Sequence, residues 1–327
     1  MEDEIIINKG VSTPKRKSRK SFNQHFREFV LQLDLQIMVI PALILLIVFA
    51  YFPLYGLVMA FQEFRIGDVI GSSEWVGFEH FRMFFNTPNF WEIMRNTFAI
   101  SFLKLLFVFP MPILLALVLN EVTSVKFKRF VQTISYLPHF ISWVVVAGIA
   151  LDLMSPTGLL NSLLMGWNVI DAPIAFMGES QYFWGILVIT DIWKGIGWGA
   201  IIYIAAISTI SPELYEAASI DGAGRMDKIR HITLAGIKPT IIIMLILTVG
   251  SILQSSFEQV MLLTNNLGNM MVFDRAEILD THIFRVGLSN MRYSYATAVG
   301  LFRSVVSVAL LLIVNFSAKK LFDESLF

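Results

Sequence analysis

Six stretches of nearly uninterrupted apolarity, at 37–59, 98–119, 133–151, 183–207, 241–263 and 295–316, constrain this chain more than anything else in it. A helix needs about 20 residues to cross a hydrocarbon layer. Backbone polar groups in lipid must be satisfied internally, so only helices or closed-barrel strands can span, and runs of this length suit helices. The expectation is an all-α integral membrane protein with six transmembrane helices. Composition agrees: 56% of the 327 residues are hydrophobic and 15% charged, whereas a soluble domain carries about 25% charge. With no cysteine, disulfides, thiolate chemistry and Cys-ligated metals are excluded. The histidines at 25, 80, 139, 231 and 282 do not cluster at ligand spacing, so no metal site is expected.

Charge distribution orients the spans. Lys and Arg number sixteen in the segments on the side of the two termini and six on the other, which puts both termini in the cytoplasm. The basic cluster Lys15-Arg16-Lys17-Ser18-Arg19-Lys20 fits a cytoplasmic anchor beside a retained first span better than a nucleic-acid tail. A cleaved signal would have a shorter core. The expected organisation is a basic tail over 1–36, a six-helix domain over 37–317 and a cytoplasmic tail over 318–327. On the opposite side, 74–85 interleaves aromatics with charges and is expected to lie at the membrane interface, as is 158–167.

Between the fourth and fifth runs lies a polar, Gly-broken segment, 211–239, on the cytoplasmic side. Ser211 and Pro212 suit a helix start, and a short helix should follow to Ile220. Ala217 and Ala218 are small enough for another backbone to approach, and Glu216 supplies a charge. Gly222 permits a reversal at which a Cβ would be costly. A second short helix is expected over 225–232, with Pro239 starting the fifth span. Two helices around a glycine corner make a stiff lever able to pass a partner's movement into spans four and five.

Leu214-Tyr215-Glu216-Ala217-Ala218, then Ile220-Asp221-Gly222-Ala223, then Ile232-Thr233-Leu234, resemble the EAA loop of binding-protein-dependent ABC importer permeases, in the carbohydrate branch. The family's proline after Ile-x-Leu is Ala235 here, and Gly236 is the expected substitute break. Pro138, Ser142 and Asp191-Ile192-Trp193-Lys194-Gly195-Ile196-Gly197-Trp198 are similar to permeases that import oligosaccharides from complex polysaccharides. The resemblance implies a Type I importer transmembrane fold in a bacterial cytoplasmic (inner) membrane. It implies three kinds of partner besides the bilayer, a homologous second permease, two copies of an ABC ATPase and an extracytoplasmic solute-binding protein, and no nucleic acid. It implies Tyr215, Glu216, Ala217, Ala218, Asp221, Gly222 and Ala223 as the ATPase-coupling residues. No Gly-x-x-x-x-Gly-Lys-Ser/Thr loop occurs, so the chain is not expected to be an enzyme or to bind a cofactor. ATP and Mg would be used by the partner ATPase.

Charges inside spans are expensive and face a cavity or a partner; Lys104, Asp191, Lys194, Glu258 and Arg303 stand out. The spacing of Thr248, Ser251, Gln254, Ser255 and Glu258 in span five collects them on one helical face, making a candidate sugar path, with Trp193, Trp198 and Tyr203 of span four available to stack on a pyranose ring. Asp191 and Lys194 can instead neutralise each other, and Arg303 can pair with a carboxylate of the partner permease. Gly300, Ser304 and Ser307 suit a helix-packing seam. The intramembrane Lys and Arg leave an acidic oligosaccharide open. The competing class is a proton-coupled secondary transporter of a polar solute, using Asp191 or Glu258.

Overall fold

The computed structural model describes residues 33–254 and 256–322 and is helical, with one isolated bridge, Gln62 to Trp75, among the described residues. The chain divides into two units at Gly56–Leu57. Ser255, most of the basic tail and residues 323–327 lie outside the described residues. The first unit is helical from Leu33, with a π turn over Ile47–Tyr51, and forms the bulk of an apolar span, Ile37–Phe61.

The second unit holds four more long spans, Phe90–Glu121, Ser180–Ser208, Arg225–Gln254 and Tyr293–Phe322. The last runs past the expected boundary at 317. A bent pair, Val125–Phe140 and Trp143–Leu153, takes the place of the straight third span that the apolar run suggests, and its halves meet at 101°. Pro138 lacks the N–H that would extend the ladder, Ile141 is extended, and Ser142 accepts a hydrogen bond from the Val145 amide to start the second half.

The fifth span also departs from expectation. Its α-helix closes at Ser251, a 3-10 turn covers Ile252–Gln254, and Phe257–Leu263 is a separate helix. The expected face from Thr248 to Glu258 is therefore not one face.

Small residues set the spacing between spans, as they do where lipid offers no hydrophobic drive for helix association. A Cβ on Gly199 would sit 2.8 Å from Pro112 Cγ, and one on Gly197 would collide with the Ser135 carbonyl. Here Ile113, Ala116 and Leu117 of the second span pack with Ala200, Tyr203 and Ile207 of the fourth.

The loops 62–89, 154–179 and 256–292 gather at one end. The Trp184 indole donates to the Arg275 carbonyl (2.9 Å), the Asn269 amide to the Met177 carbonyl (2.8 Å) and the Asn96 amide to the carbonyls of Asp274 and Glu277. Within 74–85, the Glu79–Phe85 helix buries His80 and Phe84, and Phe84 packs with Phe90, Tyr295 and Phe302. That aromatic content is thus partly core, while Trp75 and Phe78 remain exposed.

Candidate functional site

At the opposite end, Pro212–Ile220 forms a helix that Pro212 opens; the Ser211 hydroxyl makes no capping bond. Its C-terminus carries a full left-handed cap. Gly222 has φ +78°, its amide bonds to the Ser219 carbonyl (3.2 Å), and the Ala223 amide reaches back to the Ala218 carbonyl (2.9 Å). This pair of bonds satisfies carbonyls that a helix end leaves open, and it requires a residue tolerant of positive φ at the corner.

The chain beyond the corner is not a second short helix. Arg225–Lys228 runs through a π turn, Ile229–Thr233, directly into Leu234–Ser251, with Pro239 inside that helix. Ala235, unlike proline, keeps the ladder intact. Gly236 does not break it either: a Cβ there would lie 2.6 Å from Ile210 Cδ1, so its smallness lets the end of the fourth span approach. The lever is therefore one short helix and one long one.

Two side-chain contacts brace the corner. The Tyr215 hydroxyl meets the Thr233 hydroxyl at 3.0 Å, and Lys228 donates to Ser219 Oγ at 2.7 Å. Tyr215 is thereby half-buried, and Ala218 and Ala223 are likewise; Glu216, Ala217, Asp221 and Gly222 are exposed. Beside them Leu214, Met226 and above all Ile220, at 87% exposure, present apolar surface.

The intramembrane charges have partners other than those expected. Asp191 pairs with Lys104 of the second span at 2.7 Å, not with Lys194. Lys104 opens a π turn, Lys104–Val108, is 5% exposed, and also donates to Gln259 Oε1 at 2.9 Å. Gln259 Nε2 in turn donates to the Leu187 carbonyl and to Thr190 Oγ1, each at 2.8 Å. One polar chain thus ties the second span, the fourth and the Phe257–Leu263 helix, with each charge paired and hydrogen-bonded as burial demands.

Lys194 donates to the carbonyls of His139 (2.8 Å) and Ile141 (2.5 Å), and more weakly to that of Pro138. These carbonyls sit at the bend in the third span, where the helical ladder is interrupted, and that of Pro138 also accepts the Ile141 amide at 3.2 Å. Arg303 pairs with Asp280 of the same chain, so a carboxylate from a partner is not required.

Two cavities collect the candidate path residues. One of about 220 Å3 joins Lys104, Asp191, Tyr203, Thr248 and Ser251. An open groove of about 650 Å3 joins Gln254, Asp280, Arg303 and Ser304. Trp193, Trp198, Lys194 and Glu258 line neither; Trp198 stacks flat on the His139 ring, 4.4 Å between centroids. Gln259 and Asp280 are missing from the sequence-based set. No metal-holding cluster of His, Asp and Glu exists among the described residues.

The loop-rich end has a second buried network. Glu277, 2% exposed, takes hydrogen bonds from Arg285 (Nε at 2.9 Å), and His282 lies between Glu277 Oε1 (3.3 Å) and the Tyr295 hydroxyl (3.2 Å), which also meets Thr87 Oγ1 (3.0 Å). Burial pushes the Glu277 carboxyl up, but the hydrogen bonds and positive charge of His282 and Arg285 outweigh it and hold it below the usual carboxylate range.

Comparison with known proteins gives a consistent set of likenesses. Residues 108–323 match the family described as "Binding-protein-dependent transport system inner membrane component". Protein LplB of Bacillus subtilis (strain 168) is 43% identical over 294 residues, covering 90% of this chain and 91% of that one. The polygalacturonan/rhamnogalacturonan transport system permease protein YteP of the same organism is 40% identical over 301 residues, 92% of each. A chain of a crystal structure of a bacterial ABC transporter involved in the import of the acidic polysaccharide alginate superposes with TM-score 0.83 at 38% identity, covering 91% of this chain and 99% of that one. A second structure shows the bacterial alginate transporter in complex with an alginate pentasaccharide-bound periplasmic protein; its match has the same TM-score and identity.

Proposed function

The chain belongs to the family of binding-protein-dependent transport system inner membrane components and is an ABC transporter permease with the Type I importer fold, and from that premise we propose that it forms half of the translocation path for an oligosaccharide. A solute-binding protein delivers the sugar on the side of the 62–89 and 256–292 loops. A homologous second permease completes the path, and two copies of an ATPase drive it from the cytoplasmic side, where both termini lie. The observation that carries this reading is the braced corner at Gly222, which exposes Leu214, Ile220 and Met226 on a segment too stiff to be a passive connector.

The coupling is thermodynamic. A partner moves the permease only if it binds the inward- and outward-facing arrangements with different free energy. Glu216, Ala217, Asp221 and Gly222 face out, where such a partner would make contact, while Tyr215 hands movement to Thr233 and so to the long helix of span five. The sugar path runs past the two cavities, where Ser251, Gln254 and Tyr203 offer hydroxyl and amide partners to sugar hydroxyls.

Reconstitution tests the proposal. Proteoliposomes with both permeases, the ATPase and the binding protein are expected to take up oligosaccharide only with ATP. Uptake by this chain alone under a pH gradient would instead identify a proton-coupled carrier.

A further inference from the structure

Six arginines occupy the loops assigned to the outer side, and two of them, Arg285 and Arg292, open onto one concavity of about 550 Å3. The two differ in commitment. Arg285 is bound to Glu277. Arg292 has only the Met83 sulfur at 3.5 Å and the Tyr295 ring, 5.0 Å to its centroid, and none of the described carboxylates forms an ion pair with it.

The backbone fixes where Arg292 emerges. Met291 stands at φ +56°, a conformation costly for a residue with a Cβ, and the Arg292 amide closes the turn on the Val286 carbonyl at 3.0 Å. Strain of this kind persists where the surroundings over-determine it, often at binding sites. Around the same concavity stand the carboxamides of Asn86, Asn89 and Asn290, none of them hydrogen-bonded to a described residue.

We propose that this concavity is a subsite for a carboxylate-bearing sugar residue at the outer mouth of the path. It rests on the importer reading above and deepens it by naming a uronic-acid type of substrate. A guanidinium matches a carboxylate through two parallel hydrogen bonds. A carboxamide both donates and accepts, as sugar hydroxyls require. The volume lies in the range of small-molecule sites.

The test uses the assembled permease–ATPase complex in nanodiscs without binding protein, and measures equilibrium binding of a galacturonate trisaccharide and of its carboxyl-reduced, neutral counterpart. The wild type should bind the acidic sugar about tenfold more tightly, the effect of one good charge-assisted pair. Arg292→Gln should erase that preference and Arg292→Lys keep part of it, with melting temperature unchanged. Equal binding of the two sugars by the wild type, or a preference that survives Arg292→Gln, would overturn the subsite while leaving the importer reading intact. Unchanged sugar binding with loss of stimulation by the binding protein would mark Arg292 as a protein-docking residue, also overturning it. Failure of the importer reading would show separately, as absence of ATP-driven uptake of either sugar.

Discussion

The two ends of this permease are made rigid by different means. At the Pro212–Ile220 end, the corner is held by backbone: a left-handed glycine, two capping bonds and a helix that runs unbroken into span five. Its polar side chains are mostly exposed. At the loop-rich end, segments far apart in sequence are tied by buried side chains, Glu277 to Arg285 and His282, Tyr295 to Thr87, and Asn96 to the 274–277 backbone. A surface that stays accessible can be built from local geometry alone. Loops that must cohere without a sheet need long-range polar contacts, and these become strong only when buried.

The comparison breaks most readily at Glu277. Glu277→Ala leaves buried His282 and half-buried Arg285 without their carboxylate, a loss of about 1–3 kcal/mol. Thermal unfolding in nanodiscs should show it, with little change at the coupling end. The pH dependence has a definite sign. Because the folded state lowers the Glu277 pKa, its stabilisation is present above the ordinary carboxylate range and is lost as pH falls through the lowered value. Glu277→Gln should melt with a weaker acid dependence than the wild type, and an identical dependence would contradict this assignment.

Gly222 comes next. Gly222→Val forces a β-branched residue to φ +78°, costing about 1–2 kcal/mol. Nothing stands within 4 Å of an added Cβ, so the strain is conformational alone. Membrane insertion should persist while ATP-driven uptake falls; full uptake would remove the corner's role. The smallest effect is expected from Tyr215→Phe. It removes one hydrogen bond worth about 1 kcal/mol, and Thr233 keeps its weak bond to the Lys228 carbonyl. Melting should barely shift while uptake per ATP hydrolysed drops.

This contrast also governs what the sequence discloses. The corner at Gly222 is legible because its determinants are local: Pro212 and Gly222 name the helix ends, and the Ala residues fit between. The existence of the spans is legible from length and apolarity, but the 101° bend in the third and the break in the fifth are not. The network of Lys104, Asp191 and Gln259 is not, because its members lie 155 residues apart in the case of Lys104 and Gln259. Helical periodicity also points to the wrong residue there: the 3-10 turn at Ile252–Gln254 resets the register, so that Glu258 faces outward and Gln259 inward. Lys194 illustrates a different limit. A charge three residues from Asp191 suggests a local pair, but the bend at Pro138 brings the carbonyls of His139 and Ile141 to Lys194, which no periodicity shows. Asp280 escapes notice because it lies between the apolar runs, where a carboxylate is ordinary; the fold buries it on the short helix Leu279–Phe284 and brings it to Arg303.

The central claim is that the exposed face of the Pro212–Ile220 helix is where the ATPase docks and drives the permease. The chain has no cysteine of its own, so Ile220→Cys supplies a single thiol at the most exposed apolar position of that face. In the assembled transporter this thiol is predicted to cross-link to the ATPase, with a yield that changes between nucleotide-bound and nucleotide-free states. Free labelling of the thiol by a bulky maleimide in the active, assembled complex would contradict the account.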